Sequence, residues 1–200
     1  MAAPLEFYFD FSSPYGYFAA HRIDDIAARH GRDVTWRPIL LGVVFKVTGG
    51  APLPTLPLKG AYAARDVTRS ARYFGVPIHP PSKFPISSQA PSRAVYWAQD
   101  RDPALGKRLA LALYDAYFQQ DRDISSPQVT ADVAAEVGLD REVVLAALND
   151  PVVKDRVRSE TDAAISRGVF GSPFVIVDGE PFWGADRLEQ VEKWLATGGW

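Results

Sequence analysis

Ser13 is the side chain best placed for chemistry. It follows the run Phe7-Tyr8-Phe9-Asp10-Phe11-Ser12 and precedes Pro14-Tyr15-Gly16-Tyr17-Phe18. The aromatic density over residues 5–11 reads as a strand, and from Tyr15 onward Ala19, Ile23, Ile26, Ala27 and His30 keep helical spacing. Ser13 is therefore expected at a helix N-cap, with Pro14 at the first helical position. The start of a helix leaves backbone N–H groups unpaired and carries partial positive charge, so an anion such as a thiolate is stabilised there. Serine at this place is also commonly a cap and nothing more.

Three further segments bear on that serine. Gly171-Ser172-Pro173-Phe174 sets a proline directly before a strand, an arrangement that is commonplace taken alone. Trp183-Gly184-Ala185-Asp186-Arg187 places Asp186 where it would cap the last helix, although the same carboxylate can hold an ammonium group. Lys59-Gly60-Ala61-Tyr62 opens a helical region, and a single lysine usually faces solvent.

The elements that must position these residues follow from patterning. Val34-Thr35-Trp36-Arg37-Pro38-Ile39-Leu40 reads as a second strand after the Gly31 stop, so the chain opens with a right-handed strand-helix-strand unit of parallel strands. Residues 42–58, rich in Gly, Pro and Thr, read as an exposed loop. Helices are expected over about 61–74, 89–101, 103–120, 130–137, 141–148 and 151–167, several of them announced by Asp102-Pro103, Ser126-Pro127 and Asp150-Pro151. Then Phe174-Val175-Ile176-Val177, the turn Asp178-Gly179 and Glu180-Pro181-Phe182-Trp183 form a hairpin. A helix over about 186–195 closes the chain. This order predicts an α/β fold, a thioredoxin-like domain (1–42 and 160–200) interrupted by an all-helical insertion (43–159), with one sheet built from both ends of the chain.

Composition narrows the function. The 200 residues are 47% hydrophobic with a formal charge of −2, as expected of a globular protein, and the basic residues are scattered, which gives no electrostatic case for nucleic acid or an anionic membrane. No apolar run reaches membrane-spanning length and no secretory leader is evident, so a cytoplasmic location is expected. The cysteine count of zero excludes every thiol-disulfide mechanism based on the protein's own sulfur, and the three histidines, His21, His30 and His79, lack metal-ligand spacing. No metal site is expected.

Taken together, FYFDFSSPYGY, LKGAYAARD and GVFGSPFVIVDGEPFWGADRLE resemble the 2-hydroxychromene-2-carboxylate isomerase family, itself similar to kappa-class glutathione transferases and more distantly to DsbA. The resemblance implies glutathione as cofactor, with Ser13 as the catalytic serine that hydrogen-bonds the thiol sulfur. It implies that Ser172, before Pro173, pairs with the tripeptide through its main chain, and that Lys59 contacts it. Ala185 and Asp186 would receive the γ-glutamyl group. Phe84-Pro85 and Arg93 resemble positions near the substrate pocket together with Tyr15, and Arg93 could meet a carboxylate, although it could equally face solvent or cap an internal loop. Where relatives commonly carry Asn, this chain has Gly49-Gly50-Ala51-Pro52, and Ala185 offers backbone only.

The implied reaction adds the thiolate to the conjugated enone of a small aromatic 2-oxo acid, which turns a double bond into a single bond that can rotate, and ring closure through the phenol with expulsion of the thiol then gives the chromene and returns the cofactor. Two other readings stay open on the residues. One is a kappa-like transferase, which consumes glutathione. The other is a cysteine-free binding module without catalysis. A homodimer is expected from the family and from the commonness of twofold assemblies.

Overall fold

The computed structural model of the chain describes residues 3–200. Strands β1 (Leu5–Phe9), β2 (Val34–Pro38), β3 (Phe174–Val177) and β4 (Glu180–Trp183) form one sheet in the order β2-β1-β3-β4. β1 runs parallel to β2, with Phe7 opposite Trp36, and antiparallel to β3, with Phe7 opposite Val175. The Asp178-Gly179 turn joins β3 to β4 as a hairpin. Both ends of the chain thus meet in one sheet. The fold is α/β, thioredoxin-like with a helical insertion.

Alternation along β1 decides which side chains enter which layer. Leu5, Phe7 and Phe9 enter the larger core, where Phe7 and Phe9 both pack edge-on to Trp36 at 5.0 and 5.4 Å between ring centres. Tyr8 faces the other way, into a smaller cluster with Ile39, Val44, Phe174 and Ile176. Both faces of the sheet are therefore covered.

The first helical run is not continuous. Helix α1 (Pro14–Ala20) ends at His21, and α2 (Ile23–Arg29) starts two residues later. Tertiary contacts hold the junction: His21 Nε2 lies 2.9 Å from Asp115 Oδ1, and the Arg22 guanidinium sits over the Phe74 ring at 4.9 Å. Nor is residues 42–58 a plain loop, since α3 (Leu41–Thr48) occupies its first half. Gly42, Val43, Val44 and Val47 are weak helix formers, so this helix owes its existence to docking rather than propensity. Its Leu41 N–H donates to Asp10 Oδ2 at 2.8 Å, and Val44 is buried against the sheet.

The helical block follows as α4 (Lys59–Phe74), α5 (Gln89–Gln99), α6 (Pro103–Phe118), α7 (Pro127–Glu136), α8 (Arg141–Asn149) and α9 (Pro151–Ser166). The announced starts are real caps. Asp102 accepts from the Ala104 N–H at 2.9 Å, Asp150 from Val152 at 2.8 Å, and Ser126 more loosely from Val129 at 3.5 Å. The closing helix α10 (Leu188–Thr197) begins later than patterning suggests, because Ala185–Arg187 form a 3-10 turn. Asp186 consequently caps nothing; it accepts from Arg187 Nη1 at 2.8 Å.

Candidate active site around Ser13

Ser13 caps α1 as its residue type and the following proline demand: its Oγ accepts from the Gly16 N–H at 3.0 Å. The same hydroxyl donates to the Ser172 carbonyl oxygen at 2.8 Å, across 159 positions of sequence. One side chain thereby joins the first helix to the loop before β3. Ser13 is 6% exposed, so its hydroxyl sits at the edge of a dry site rather than in solvent. The helix behind it has seven residues, so the serine hydroxyl, not a long macrodipole, is the principal local group that can meet a bound anion.

The peptide bond from Ser172 to Pro173 is cis, as is that from Phe84 to Pro85. Gly16 is packed against this junction so closely that a Cβ there would lie 2.7 Å from both Ser172 Oγ and the Tyr114 hydroxyl. Glycine is therefore required where α1 meets the Ser172 loop. The spacing Ser13-Pro14-Tyr15-Gly16 acquires its physical meaning from that contact.

Beneath Ser13 lies a residue that sequence reasoning passed over. Asp10 is 3% exposed and accepts from the Ser12 N–H at 2.7 Å, the Ser88 hydroxyl at 2.7 Å and the Leu41 N–H at 2.8 Å. Its own N–H donates to Ser172 Oγ at 2.9 Å, and its carbonyl accepts from the Ser13 N–H and from the Tyr114 hydroxyl, each at 2.9 Å. Burial raises the Asp10 carboxyl above its ordinary range, while the bonds from Ser88, Leu41 and Ser12 act in the opposite sense. Burial likewise pushes the Tyr114 phenol well up, which keeps it a donor to the Asp10 carbonyl. The one signal in the sequence was a lone carboxylate between Phe9 and Phe11.

The other expected residues distribute unevenly around this centre. Pro173 O accepts from the Gly184 N–H at 3.1 Å, which brings the Ala185-Asp186 turn beside the Ser172-Pro173 junction. Ala185 is buried, whereas the Asp186 side chain is 72% exposed with Arg187 as its partner. α1 packs against both this turn and α4, whose first residue is Lys59. Lys59 is exposed and follows Leu58, itself at φ 64° and 91% exposed.

Tyr15 donates to Asp66 Oδ2 at 2.6 Å and so ties α1 to α4; burial and then Asp66 push its phenol up. Asp66 is also bonded by Arg69, and although burial opposes ionisation, these partners hold its carboxyl below the ordinary range. Phe84 is half-buried, and two residues on the Ile86 N–H donates to Ser12 Oγ at 3.2 Å, which places that loop next to Ser13. Arg93 stands apart, with no hydrogen bond to this cluster. Its Nη2 donates to Gln89 Oε1 at 3.0 Å, and it lines a separate cleft between α5 and α9.

A sheet of this order, a helix capped by Ser13 and a cis-proline opposite that cap define a thioredoxin-fold site with serine in place of cysteine. The chain belongs to the DsbA-like thioredoxin domain family, whose profile matches residues 4–196. Within that family it is 30% identical over 198 residues to 2-hydroxychromene-2-carboxylate isomerase of Sphingobium xenophagum, an alignment covering 98% of this chain and 99% of the relative. It is also 30% identical to glutathione S-transferase kappa 2 of Caenorhabditis elegans, over 96% of this chain and 91% of that one. Among solved structures, a 2-hydroxychromene-2-carboxylate isomerase superposes with a TM-score of 0.87 at 27% identity, covering 96% of this chain and 94% of the other.

Proposed function

We propose that this protein is a glutathione-dependent cis-trans isomerase that interconverts 2-hydroxychromene-2-carboxylate and trans-o-hydroxybenzylidenepyruvate, or a closely related aromatic 2-oxo acid. The observation that carries the reading is the Ser13 hydroxyl held between the Gly16 N–H and the Ser172 carbonyl in a chain without cysteine. Similarity to named isomerases along nearly the full chain supports it.

The residues present suit the tripeptide. A γ-glutamyl ammonium needs an accessible carboxylate, and Asp186 is exposed with a single neighbouring partner. A glycyl carboxylate needs a cation, and Lys59 opens the helix that packs on α1. Glutathione, when bound, supplies the thiolate nucleophile that this chain lacks. The protein's own part is to position and dry the site. The Ser13 hydroxyl, held by the Gly16 N–H and the Ser172 carbonyl, would be the group that meets the sulfur, and the Ser172 main chain would be the group that pairs with the tripeptide. Phe11, fully buried two residues before Ser13, and the partly buried Tyr15 and Phe84 would restrict water there.

The test is the rate of interconversion of trans-o-hydroxybenzylidenepyruvate followed by absorbance, with and without glutathione. We expect glutathione to be required, and Ser13→Ala to lower kcat by about 10²-fold or more while the circular dichroism spectrum is retained. A rate that ignores glutathione would overturn the proposal. Equal identity to a kappa-class transferase favours one competing reading, conjugation. Titration of free thiol during turnover separates the two, because an isomerase returns its glutathione and a transferase consumes it. The same reading takes the working form as a cytoplasmic homodimer, which light scattering on the purified protein checks for assembly.

A further inference from the structure

We propose that the cleft between α5 and α9 is a second binding site, separate from Ser13, for a small carboxylate with an apolar body. The cleft has a volume of about 300 Å³ and is lined by Leu40, Gln89, Arg93, Lys154, Val157 and Arg158. That volume is at the lower end of the range for small-molecule sites. Three of the six residues are cations and none is a carboxylate. Leu40 and Val157, with the methylene stems of the three long side chains, supply an apolar floor under a positive rim.

Arg93 is the residue whose surroundings call for a ligand. Among the described residues its buried Nε has no hydrogen-bond partner, and its Nη1 reaches only the Leu148 carbonyl at a long 3.4 Å. Nη2 is held by the neutral Gln89 amide. Burial pulls the guanidinium below its ordinary range with no anion to offset it. A guanidinium donates through a planar fork that fits a carboxylate with two parallel bonds. Among the described residues Lys154 has no ion-pair partner, whereas Arg158 is engaged by the exposed Asp155 at 2.6 Å. The cleft therefore keeps uncompensated positive charge.

The place of the cleft distinguishes it from the serine site. Leu40 and Gln89 are each the chain neighbour of a residue that donates to Asp10, namely Leu41 and Ser88. None of the six lining residues is itself hydrogen-bonded to Asp10, Ser13 or Ser172; their partners include Thr161, Leu148 and Asp155. The site does not depend on glutathione, and its test contains none.

The experiment is titration of the ¹⁵N-labelled full chain with sodium benzoate, with benzamide as the neutral isostere. Saturable shifts confined to residues near 88–93 and 154–158, at least tenfold weaker in Arg93→Gln and in Lys154→Gln and unchanged in Ser13→Ala, are expected. Lys154 is only partly buried and makes no ion pair among the described residues, so its variant decides the matter if Arg93→Gln fails to fold. Equal binding of benzamide, shifts centred on Ser13 and Ser172, or no saturation with benzoate would each overturn the proposal.

Discussion

The Asp10 carboxyl accepts three hydrogen bonds, from Ser12, Ser88 and Leu41. An asparagine there could accept from Ser12 and Ser88 but would point its own N–H₂ at the Leu41 N–H. Asp10→Asn is expected to cost about 1–3 kcal/mol, read from urea unfolding, because the Leu41 N–H loses its acceptor and meets a donor instead. The pH dependence has a definite sign. Burial raises the folded-state pKa above the ordinary 3.8, so over that window the folded chain retains a proton that the unfolded chain has released. Asp10's contribution is full below 3.8 and fades as pH rises through its elevated pKa. The stability difference between wild type and Asp10→Asn should therefore change with pH across that window; a difference independent of pH would show an unshifted carboxyl. Ser13 and Ser172 were legible as chemistry because a serine before a helix and a serine before a strand-heading proline are local patterns. Asp10 was not, since its partners at 12, 41, 88 and 172 meet only once the chain is folded.

At the level of elements, the turn that carries Asp186 depends on the residue before it. Gly184 has φ 112° and ψ 148°, a region essentially reserved for glycine, and a Cβ there would lie 2.4 Å from Asp186 Oδ1. Gly184→Ala is expected to destabilise by about 1–3 kcal/mol. Under the proposed function it should also weaken glutathione binding, measured calorimetrically, by displacing the Asp186 carboxylate; unchanged affinity would remove Asp186 from that proposal. A simpler element-scale test is Asp150→Ala, which leaves the first turn of α9 uncapped and should cost about 1 kcal/mol in thermal or urea unfolding. Capped helices of this sort were readable in advance. α3 was not, because its valines and Gly42 argue against a helix and the bond that secures it, Leu41 to Asp10, links distant positions. The break between α1 and α2 escaped for the same reason: apolar spacing continues through His21 and Arg22, and the contacts that divide them come from α6 and α4.

The molecule as a whole has one dominant core. It joins Phe7 and Trp36 of the sheet to Tyr114 of α6, Val133 of α7 and Val144 of α8 in a single cluster, so the helical insertion has no separate interior to retain when the sheet melts. We expect far-ultraviolet circular dichroism and tryptophan fluorescence to report coincident thermal transitions. A helical signal that outlasts the fluorescence change would show two cooperative units instead of one. Sequence order revealed that two distant ends share a sheet, since strand and helix periods differ and the interruption is long. It could not reveal how the helices share the sheet's core, because amphipathic faces do not name their partners.

One consequence of the Asp10 cluster concerns the order in which competence is acquired. The carboxylate and its peptide groups collect Ser12, Leu41, Ser88, Tyr114 and Ser172, points spread across most of the chain. No growing chain that stops short of residue 172 can complete that set. Whatever Ser13 does, it does only once the chain has been made as far as Ser172, so a copy that stops before it is silent by construction, and recovered activity after refolding counts the chains in which these segments have met.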